Sequence, residues 1–443
     1  MILTRERSCY ETLAGRQRSL FPRWAVTILV VAYTTEAALL MLVQLYLKDV
    51  GSSSLLIGLN TSLASLGLLL GSWVWGEASD RIRPGLLVAG LLVAISVLCG
   101  ALALRLPPWW ALIAVGSFYL AIGGLVPIFL NLASSSTGPS GRGKLLSAVA
   151  ASRSSGWVIG GVLAGVLLQY LGFSIGLGAF AILPLLALPI AGVLASRFPS
   201  RPPSPRQEER NVKSSGVPLW WLYLSVVFRQ MGISGSMALI FVYMSGQGIP
   251  ASLMGVLSAI NPMMQVVALP LFGALTDWLG RRPFLVMGFA LSSAIPMILA
   301  LTSGEVGIAG GFLLLGVSYA SVYVGTAAFI GDRSAVGRHG RMLGRFEASI
   351  GLGGVLGPIV AGSLLPVLGF QRMFLSMAGA SALGLLLVFV KTRANRVKSD
   401  NGQQEGKGAC SDRTKATEGC SGHASDTVQR RRDRRRAVVS CKR

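Results

Sequence analysis

Two charged residues inside long apolar stretches are the strongest candidates for chemistry in this sequence. Glu36 lies in the stretch VVAYTTEAALL, and Arg229 lies in VVFRQMGISG. A charge at the centre of a membrane-spanning helix costs at least about 2.5–3.5 kcal/mol, so such residues usually serve a function. A carboxylate can take up and release a proton, and a guanidinium can hold an anionic group. We therefore predict that Glu36 and Arg229 belong to a site for a charged solute or a coupling ion.

Other polar residues in apolar stretches are further candidates for contact with the same solute. Arg153 and Glu347 lie nearer the ends of their stretches, and we interpret them as gate or packing charges. The remaining candidates carry hydroxyl or amide groups: Tyr119, Tyr319, Tyr323, Asn261 and Gln265. The tyrosines would give the site a polar aromatic surface, and the two amides would hydrogen-bond between helices.

The stretches that hold these residues are typical of helices that cross a lipid bilayer. Apolar residues make up 52% of the 443 residues and charged ones only 13%, about half the share of a water-soluble domain. A spanning helix needs about 20 apolar residues, and lipid offers no partner to unpaired backbone groups. We predict an all-α polytopic membrane protein with twelve transmembrane helices at 23–47, 55–78, 84–104, 108–133, 145–168, 174–196, 217–244, 252–276, 282–302, 306–331, 341–366 and 370–391.

The distribution of basic residues predicts how the chain is oriented. Of the 40 Lys and Arg, 35 lie in segments on the same side as the N-terminus, and only Lys48, Arg105 and Arg372 lie on the other. Cytoplasmic loops carry the excess of basic residues in membrane proteins. We therefore predict a multi-pass protein of the cytoplasmic membrane with both termini in the cytoplasm. The net charge of +22 then reflects orientation, and no nucleic-acid partner is predicted.

A shift of 197 residues aligns the first half of the chain with the second. It pairs Trp24 with Trp221, and LGF at 171–173 with LGF at 368–370. We predict two pseudo-symmetric six-helix bundles, related by an axis along the membrane normal, with a site between them near the midplane. The predicted domains are a cytoplasmic N-terminal segment 1–22, an N-terminal bundle 23–196, a cytoplasmic linker 197–216, a C-terminal bundle 217–391 and a disordered basic cytoplasmic tail 392–443.

The same shift aligns two short charged turns, GEASDRIRPG at 76–85 and GALTDWLGRRP at 273–283. Each follows an apolar stretch, and glycine permits a tight backbone turn. Arginines here would meet anionic headgroups. We predict a cytoplasmic gate motif made of Gly76, Asp80, Arg81, Gly273, Asp277, Gly280, Arg281 and Arg282.

Together these features resemble the major facilitator superfamily. Two sets of six helices, a long central loop and a G-x-x-x-D-x-x-x-R/K-type turn after the second and eighth helices carry the resemblance over 23–391. The resemblance implies that Asp80 and Asp277 make charge contacts that keep the outward-facing state closed on its cytoplasmic side. It also implies that the first, fourth, seventh and tenth helices line a cavity, across which Glu36 and Arg229 can face each other. The turn at 76–85 lacks the glycine and paired basic residues that usually follow.

Glycines at spacing four predict close packing between helices. Such glycines occur in the fifth and eleventh predicted helices, and a proline in the eleventh can kink it. The residues predicted to pack between helices are Gly156, Gly160, Gly165, Gly353, Gly357, Pro358 and Gly362. The family's antiporter signature places a Gly-Pro pair in the fifth helix, where this chain has Gly-Gly instead. The arginine common in the fourth helix of proton-coupled members is absent from SFYLAIGG. The pattern therefore favours ordinary packing over that signature.

We predict a secondary transporter that works by alternating access and exports a small organic solute in exchange for protons. The alternatives are uptake of a metabolite by proton symport and, less favoured, a membrane sensor that transports nothing. The predicted partners are the small-molecule solute, the proton and the lipid bilayer, and the chain would act as a monomer without cofactor or metal. An enzyme is not predicted, because GPSGRGKL at 138–145 lacks the last Ser or Thr of a phosphate-binding loop.

Overall fold

The structure is a computed structural model. It describes the backbone of residues 2–79, 81–136, 139–197, 219–333 and 339–417, and the side chains from 23 to 392 apart from 80, 131, 133–147, 150, 197–218, 277 and 332–340. The predicted linker beyond Arg197, and the side chains of the predicted N-terminal segment and of 393–443, lie outside the described residues. Contacts divide the chain into two compact units, Met1–Phe389 and Val390–Arg443.

Every regular element of the described part is a helix, as predicted. The helices are α1 (Ile2–Asp49), α2 (Ser54–Ala78), α3 (Pro84–Ala103), α4 (Pro108–Ile122), α5 (Leu125–Ser136), α6 (Pro139–Leu186), α7 (Leu188–Arg197), α8 (Trp220–Met237), α9 (Ile240–Gly246), α10 (Ala251–Leu279), α11 (Arg281–Leu301), α12 (Glu305–Arg333) and α13 (His339–Thr417).

Ten helical stretches of the described residues are long and apolar enough to cross a membrane. Two of them, Ala151–Ser196 and Arg341–Thr392, have 46 and 52 residues. At about 1.5 Å per residue each exceeds twice the roughly 30 Å of a bilayer core. Each is interrupted by a glycine with positive φ, at Gly172 with φ 76° and at Gly369 with φ 71°, and the first is interrupted again between α6 and α7. Each is therefore long enough for two crossings, which is consistent with the predicted twelve.

The repeat is visible in the turns at one end of the bundle. Gly172 and Gly369 are 197 residues apart, and so are Gly51 and Gly248, with φ of 75° and 76°. A positive φ is readily adopted only by glycine, so the same residue type is needed at both copies of each turn. Lys48 precedes the first of these turns, and we call this end of the bundle the Lys48 end.

Glycines also place the helices of each half in close contact. A Cβ on Gly160 of α6 would overlap the carbonyl of Thr34 in α1, and a Cβ on Gly357 of α13 would overlap the carbonyl of Met231 in α8. The two contacts are equivalent under the 197-residue shift. Equal backbone packing in both halves is what a pair of pseudo-symmetric bundles requires.

The two halves meet through a second equivalent pair of contacts. Gly58 of α2 packs against the backbone of Pro358 in α13, and its counterpart Gly255 of α10 packs against Gly161 in α6. Gly165 and Gly362 extend these two interfaces toward the Lys48 end, and Gly156 and Gly353 extend the packing within each half.

Hydrogen bonds join the halves near the same end. Lys48 Nζ donates to Ser245 Oγ at 2.6 Å, and these two positions are themselves 197 residues apart. Three more bonds cross between the halves: Ser54 Oγ to Gly362 O at 2.9 Å, Ser62 Oγ to Val355 O at 2.7 Å, and Ser252 N to Gln169 Oε1 at 3.0 Å. In this conformation, polar contacts therefore hold the Lys48 end closed.

Candidate functional site

The candidate site begins where α1 crosses α6. Glu36 of α1 is buried, and its Oε2 accepts a hydrogen bond from Trp157 Nε1 of α6 at 3.1 Å. The two helices come this close because Gly156 and Gly160, on the same face of α6 as Trp157, lie against the α1 backbone around Thr34. A larger residue at either glycine would separate the indole from the carboxylate.

Arg153, one turn before Trp157 on α6, is the cation that accompanies Glu36. Its guanidinium carbon lies 5.6 Å from the ring centroid of Tyr33 on α1, within cation–π range. It interacts electrostatically with Glu36 and with Glu347 of α13. Protein surrounds Arg153 on most sides, yet its side chain remains exposed, so solvent reaches it. This residue, interpreted from the sequence as a gate or packing charge, lies at the centre of the site.

The C-terminal half contributes an aromatic pair and a second carboxylate. Tyr319 and Tyr323 of α12 stack with ring centroids 5.8 Å apart and an interplanar angle of 15°. Glu347 of α13 accepts a hydrogen bond from the Tyr323 hydroxyl and is exposed. We call Tyr33, Glu36, Arg153, Trp157, Tyr319, Tyr323 and Glu347 the central cluster. It draws its members from both halves, on α1, α6, α12 and α13.

Tyr119 of α4 is buried at the edge of the central cluster. It packs edge-on against Phe118 at 5.4 Å between centroids and interacts electrostatically with Glu36 and Arg153. Asn261 and Gln265 of α10 bond to each other, with Gln265 Nε2 donating to Asn261 Oδ1 at 2.9 Å. They therefore use one another as partners within a single helix.

Arg229 is buried in a polar cage inside the C-terminal half. Its Nε donates to Ser292 Oγ at 2.7 Å, Nη1 to Gln230 Oε1 at 3.1 Å and Nη2 to Ser318 Oγ at 3.3 Å. The serines belong to α11 and α12, so the side chain points into its own half. The structure does not bring Arg229 to Glu36. It interacts electrostatically with Tyr319, which also interacts with Arg153.

The predicted gate motif lies at the end opposite Lys48. Gly280 has φ 78° and separates α10 from α11, and Arg281 Nη1 donates to Ala328 O of α12 at 2.9 Å. In the first copy Arg81 pairs with Glu77 at 3.3 Å, and both side chains are largely exposed. Gly76 lies in the last turn of α2, Gly273 lies about two turns before the end of α10, and Arg282 lies in the first turn of α11. Asp80 and the side chain of Asp277 lie outside the described residues.

The described side chains hold no group of three or more potential metal ligands among His, Cys, Asp and Glu. The chemistry available at the central cluster is therefore that of two carboxylates, one guanidinium and tyrosine hydroxyls. Such groups can bind charged or polar solutes and exchange protons.

Comparison with known proteins identifies relatives. The family model described as Major Facilitator Superfamily matches twice, over residues 25–260 and 222–432, and the two matches begin 197 residues apart. The tetracycline resistance protein, class C, of Escherichia coli is 35% identical over 144 residues, which is 31% of this chain and 34% of that protein. The quinolone resistance protein NorA of Staphylococcus aureus is 28% identical over 165 residues, 37% of this chain and 42% of NorA. The chain thus aligns with less than half the length of each of these relatives.

Solved structures share the fold across most of the chain. A bacterial homolog of the human lysosomal transporter Spinster, in an inward-facing and unoccupied conformation, superposes with a TM-score of 0.69 at 14% identity. That comparison covers 85% of this chain and 97% of the other. The nucleoside transporter NupG gives a TM-score of 0.67 at 10% identity, over 84% of this chain and 98% of that one. At these identities the likeness is one of fold alone.

Proposed function

The chain belongs to the Major Facilitator Superfamily, and we propose that it is a secondary transporter that moves a small organic solute across the membrane by alternating access. The observation that carries the proposal is the central cluster. Both halves contribute to it, it contains the exposed charges Arg153 and Glu347, and it lies between halves whose polar contacts hold the Lys48 end closed. Membership in a family of transporters also supports the prediction that the chain is not an enzyme.

Alternating access requires that the contacts at the closed end can be broken and replaced. The seal is made of small residues and a few hydrogen bonds, such as Lys48–Ser245 and Ser62–Val355. Hydrogen bonds between membrane helices are worth about 0.6–1.7 kcal/mol each. A few such bonds can stabilise the state that is closed at the Lys48 end and still leave the state that is open there accessible. With both termini in the cytoplasm, as the basic residues predict, the Lys48 end is the outer end and the closed state faces inward.

We assign proton coupling to Glu36. It is the buried carboxylate of the cluster, held by Trp157 and accompanied by Arg153. Buried carboxylates inside membrane proteins commonly belong to proton pathways. In this proposal Arg153, rather than Arg229, is the cation that partners Glu36. Arg229 would act indirectly, through its electrostatic interaction with Tyr319. Solute and proton would compete for the charges of the cluster, which is the condition for coupled movement.

Export is our first proposal for direction, because relatives by sequence include resistance proteins for tetracycline and quinolones. Uptake by proton symport is the alternative, and the fold likeness to a nucleoside transporter leaves it open. A sensor without transport is the lesser alternative.

The test uses the full-length protein in proteoliposomes with an imposed pH gradient and a panel of tetracycline, a quinolone, a cationic dye, a sugar and an organic acid. We expect at least one solute to move against its own gradient, and the variant Glu36→Gln to lose this movement. Glu305→Gln, an exposed carboxylate at the start of α12, is the matched control. Movement opposite to the protons indicates export and movement with them indicates symport. Binding without any flux would contradict transport and favour the sensor.

A further inference from the structure

The central cluster contains two exposed side chains of opposite charge, one from each half. Arg153 comes from α6 and Glu347 from α13, and both are exposed. They act on each other's charge, yet among the described residues no ion pair of 4.0 Å or less joins them. Glu36, by contrast, is buried and held by Trp157. The two exposed charges are therefore more than 4.0 Å apart, and we call the space between them the gap.

Each of the two charges stands in a setting that suits one kind of ligand group. Arg153 lies over the Tyr33 ring at 5.6 Å, which leaves its guanidinium edge able to donate paired hydrogen bonds. Glu347 accepts from the Tyr323 hydroxyl and adjoins the stacked rings of Tyr319 and Tyr323. A carboxylate beside aromatic faces favours an ammonium group, and a guanidinium edge favours a carboxylate or phosphate.

We propose that the gap between Arg153 and Glu347 binds a zwitterionic solute, with its anionic group on Arg153 and its cationic group on Glu347. This rests on the proposed function and names the solute class of the same site. Because Arg153 and Glu347 belong to opposite halves, such a solute would bridge the two halves. It could contact both residues only when the halves stand at the right distance from each other.

Singly charged solutes suit this gap less well. A cation bound at Glu347 would lie beside the positive charge of Arg153, and an anion bound at Arg153 would lie beside the negative charge of Glu347. Like charges held close together repel each other, so each residue disfavours a solute that carries only its own sign of charge. Only a solute with both charges satisfies both residues.

The test measures dissociation constants by titration of the purified full-length protein in lipid nanodiscs, without any transport step. Three scaffolds serve as probes: a piperazinyl quinolone, 4-(aminomethyl)benzoate and phenylalanine. Each is used as the zwitterion, as its methyl ester, which is a cation, and as its N-acetyl derivative, which is an anion. Each derivative loses the charged group that one of the two residues would bind, and with it a charge-assisted hydrogen bond. We therefore expect, for at least one scaffold, the zwitterion to bind about 10-fold or more tightly than both derivatives.

Two variants then separate specificity from stability. In Arg153→Gln the ester should bind as tightly as the zwitterion, and in Glu347→Gln the N-acetyl derivative should do so. Arg372→Gln and Glu305→Gln remove exposed charges near the Lys48 end and should keep the wild-type order. A merely structural role of Arg153 would weaken all three forms together.

Other outcomes overturn the proposal. Equal or tighter binding of an ester or N-acetyl form by the wild-type protein, or no binding of any zwitterion, would show that the gap does not select paired charges. In that case Arg153 and Glu347 are gate charges that pair in another state. Proton-driven flux of a singly charged or neutral solute would then leave the proposed function intact.

Discussion

Double substitutions can decide which cation partners Glu36. We expect Glu36→Gln and Arg153→Gln to be non-additive, and Glu36→Gln and Arg229→Gln to be additive. Glu36 shares its neighbourhood with Arg153 and Trp157, whereas Arg229 donates to Ser292, Ser318 and Gln230. Glu36→Gln keeps nearly the same shape and removes the charge. Arg153→Gln and Arg229→Gln shorten the side chain by the same amount, so a difference between the two couplings reflects the position of each guanidinium.

The expected sizes follow from these contacts. Residues in one network show interaction energies of about 0.5–3 kcal/mol, and distant residues without shared partners add within about 0.3–0.5 kcal/mol. Hydrogen bonds between membrane helices reach only about 0.6–1.7 kcal/mol, so we expect a coupling near 1 kcal/mol for Glu36 with Arg153. For Glu36 with Arg229 we expect less than about 0.5 kcal/mol.

The free energy of unfolding is measured by titrating the purified protein in mixed micelles with dodecyl sulfate, for the wild type, three single variants and two double variants. Solute dissociation constants for the same six proteins give an independent set of couplings. A coupling above about 1 kcal/mol for Glu36 with Arg229, together with additivity for Glu36 with Arg153, would refute this arrangement of the charges. The result would instead support the pairing of Glu36 with Arg229 that the sequence predicts.

Three further outcomes are expected. Gly160→Ala should lower the free energy of unfolding by about 1–3 kcal/mol, because the added methyl group would overlap α1. Gly178→Ala is the control and should change it little, because a Cβ there meets nothing within 4 Å. Equal effects of the two substitutions would contradict the packing argument. Lys48→Met should loosen the Lys48 end, because it removes a charge-assisted hydrogen bond. In a protein without native cysteines, a cysteine introduced by Ser62→Cys should then react about 10-fold faster with an impermeant maleimide than it does with Lys48 present. An unchanged rate would show that Lys48 does not hold this end closed. Ser292→Ala should lower the free energy of unfolding by about 0.6–1.7 kcal/mol and leave solute affinity unchanged, and an equal loss of affinity would place Arg229 in the binding site.

The scaffold could be predicted from the sequence because it depends on local and repeated features. Apolar length predicts the spans, and glycine is needed wherever φ is positive or two backbones touch. The shift of 197 residues therefore finds Gly160 and Gly357 in equivalent contacts, and Gly51 and Gly248 in equivalent turns. Neither feature needs knowledge of which side chains meet across the bundle.

The pairing of charges could not be predicted in the same way. Arg229 is the candidate from the sequence because it lies deep in its span, whereas Arg153 lies nearer an end and is predicted to be a gate or packing charge. Depth along a helix does not state which way a side chain points, and Arg229 turns toward the serines of its own half. One signal for Arg153 was present: it lies one turn before Gly156 and on the face of Gly160, the face predicted to approach another helix.

The residues that carry the chemistry break the symmetry of the scaffold that holds them. Under the 197-residue shift, Glu36 corresponds to Ile233, Arg229 to Ala32 and Arg153 to Ile350. The repeat thus keeps glycines at equivalent positions, where the requirement is close backbone approach, and keeps none of these three charges. A symmetric scaffold lets the two halves rock about a common axis, while the unequal charges give each half a different group to present to the solute. In the proposed site, a solute that touches both halves would meet Arg153 on one side and Glu347 on the other, so the stability of the occupied state would depend on the distance between the halves.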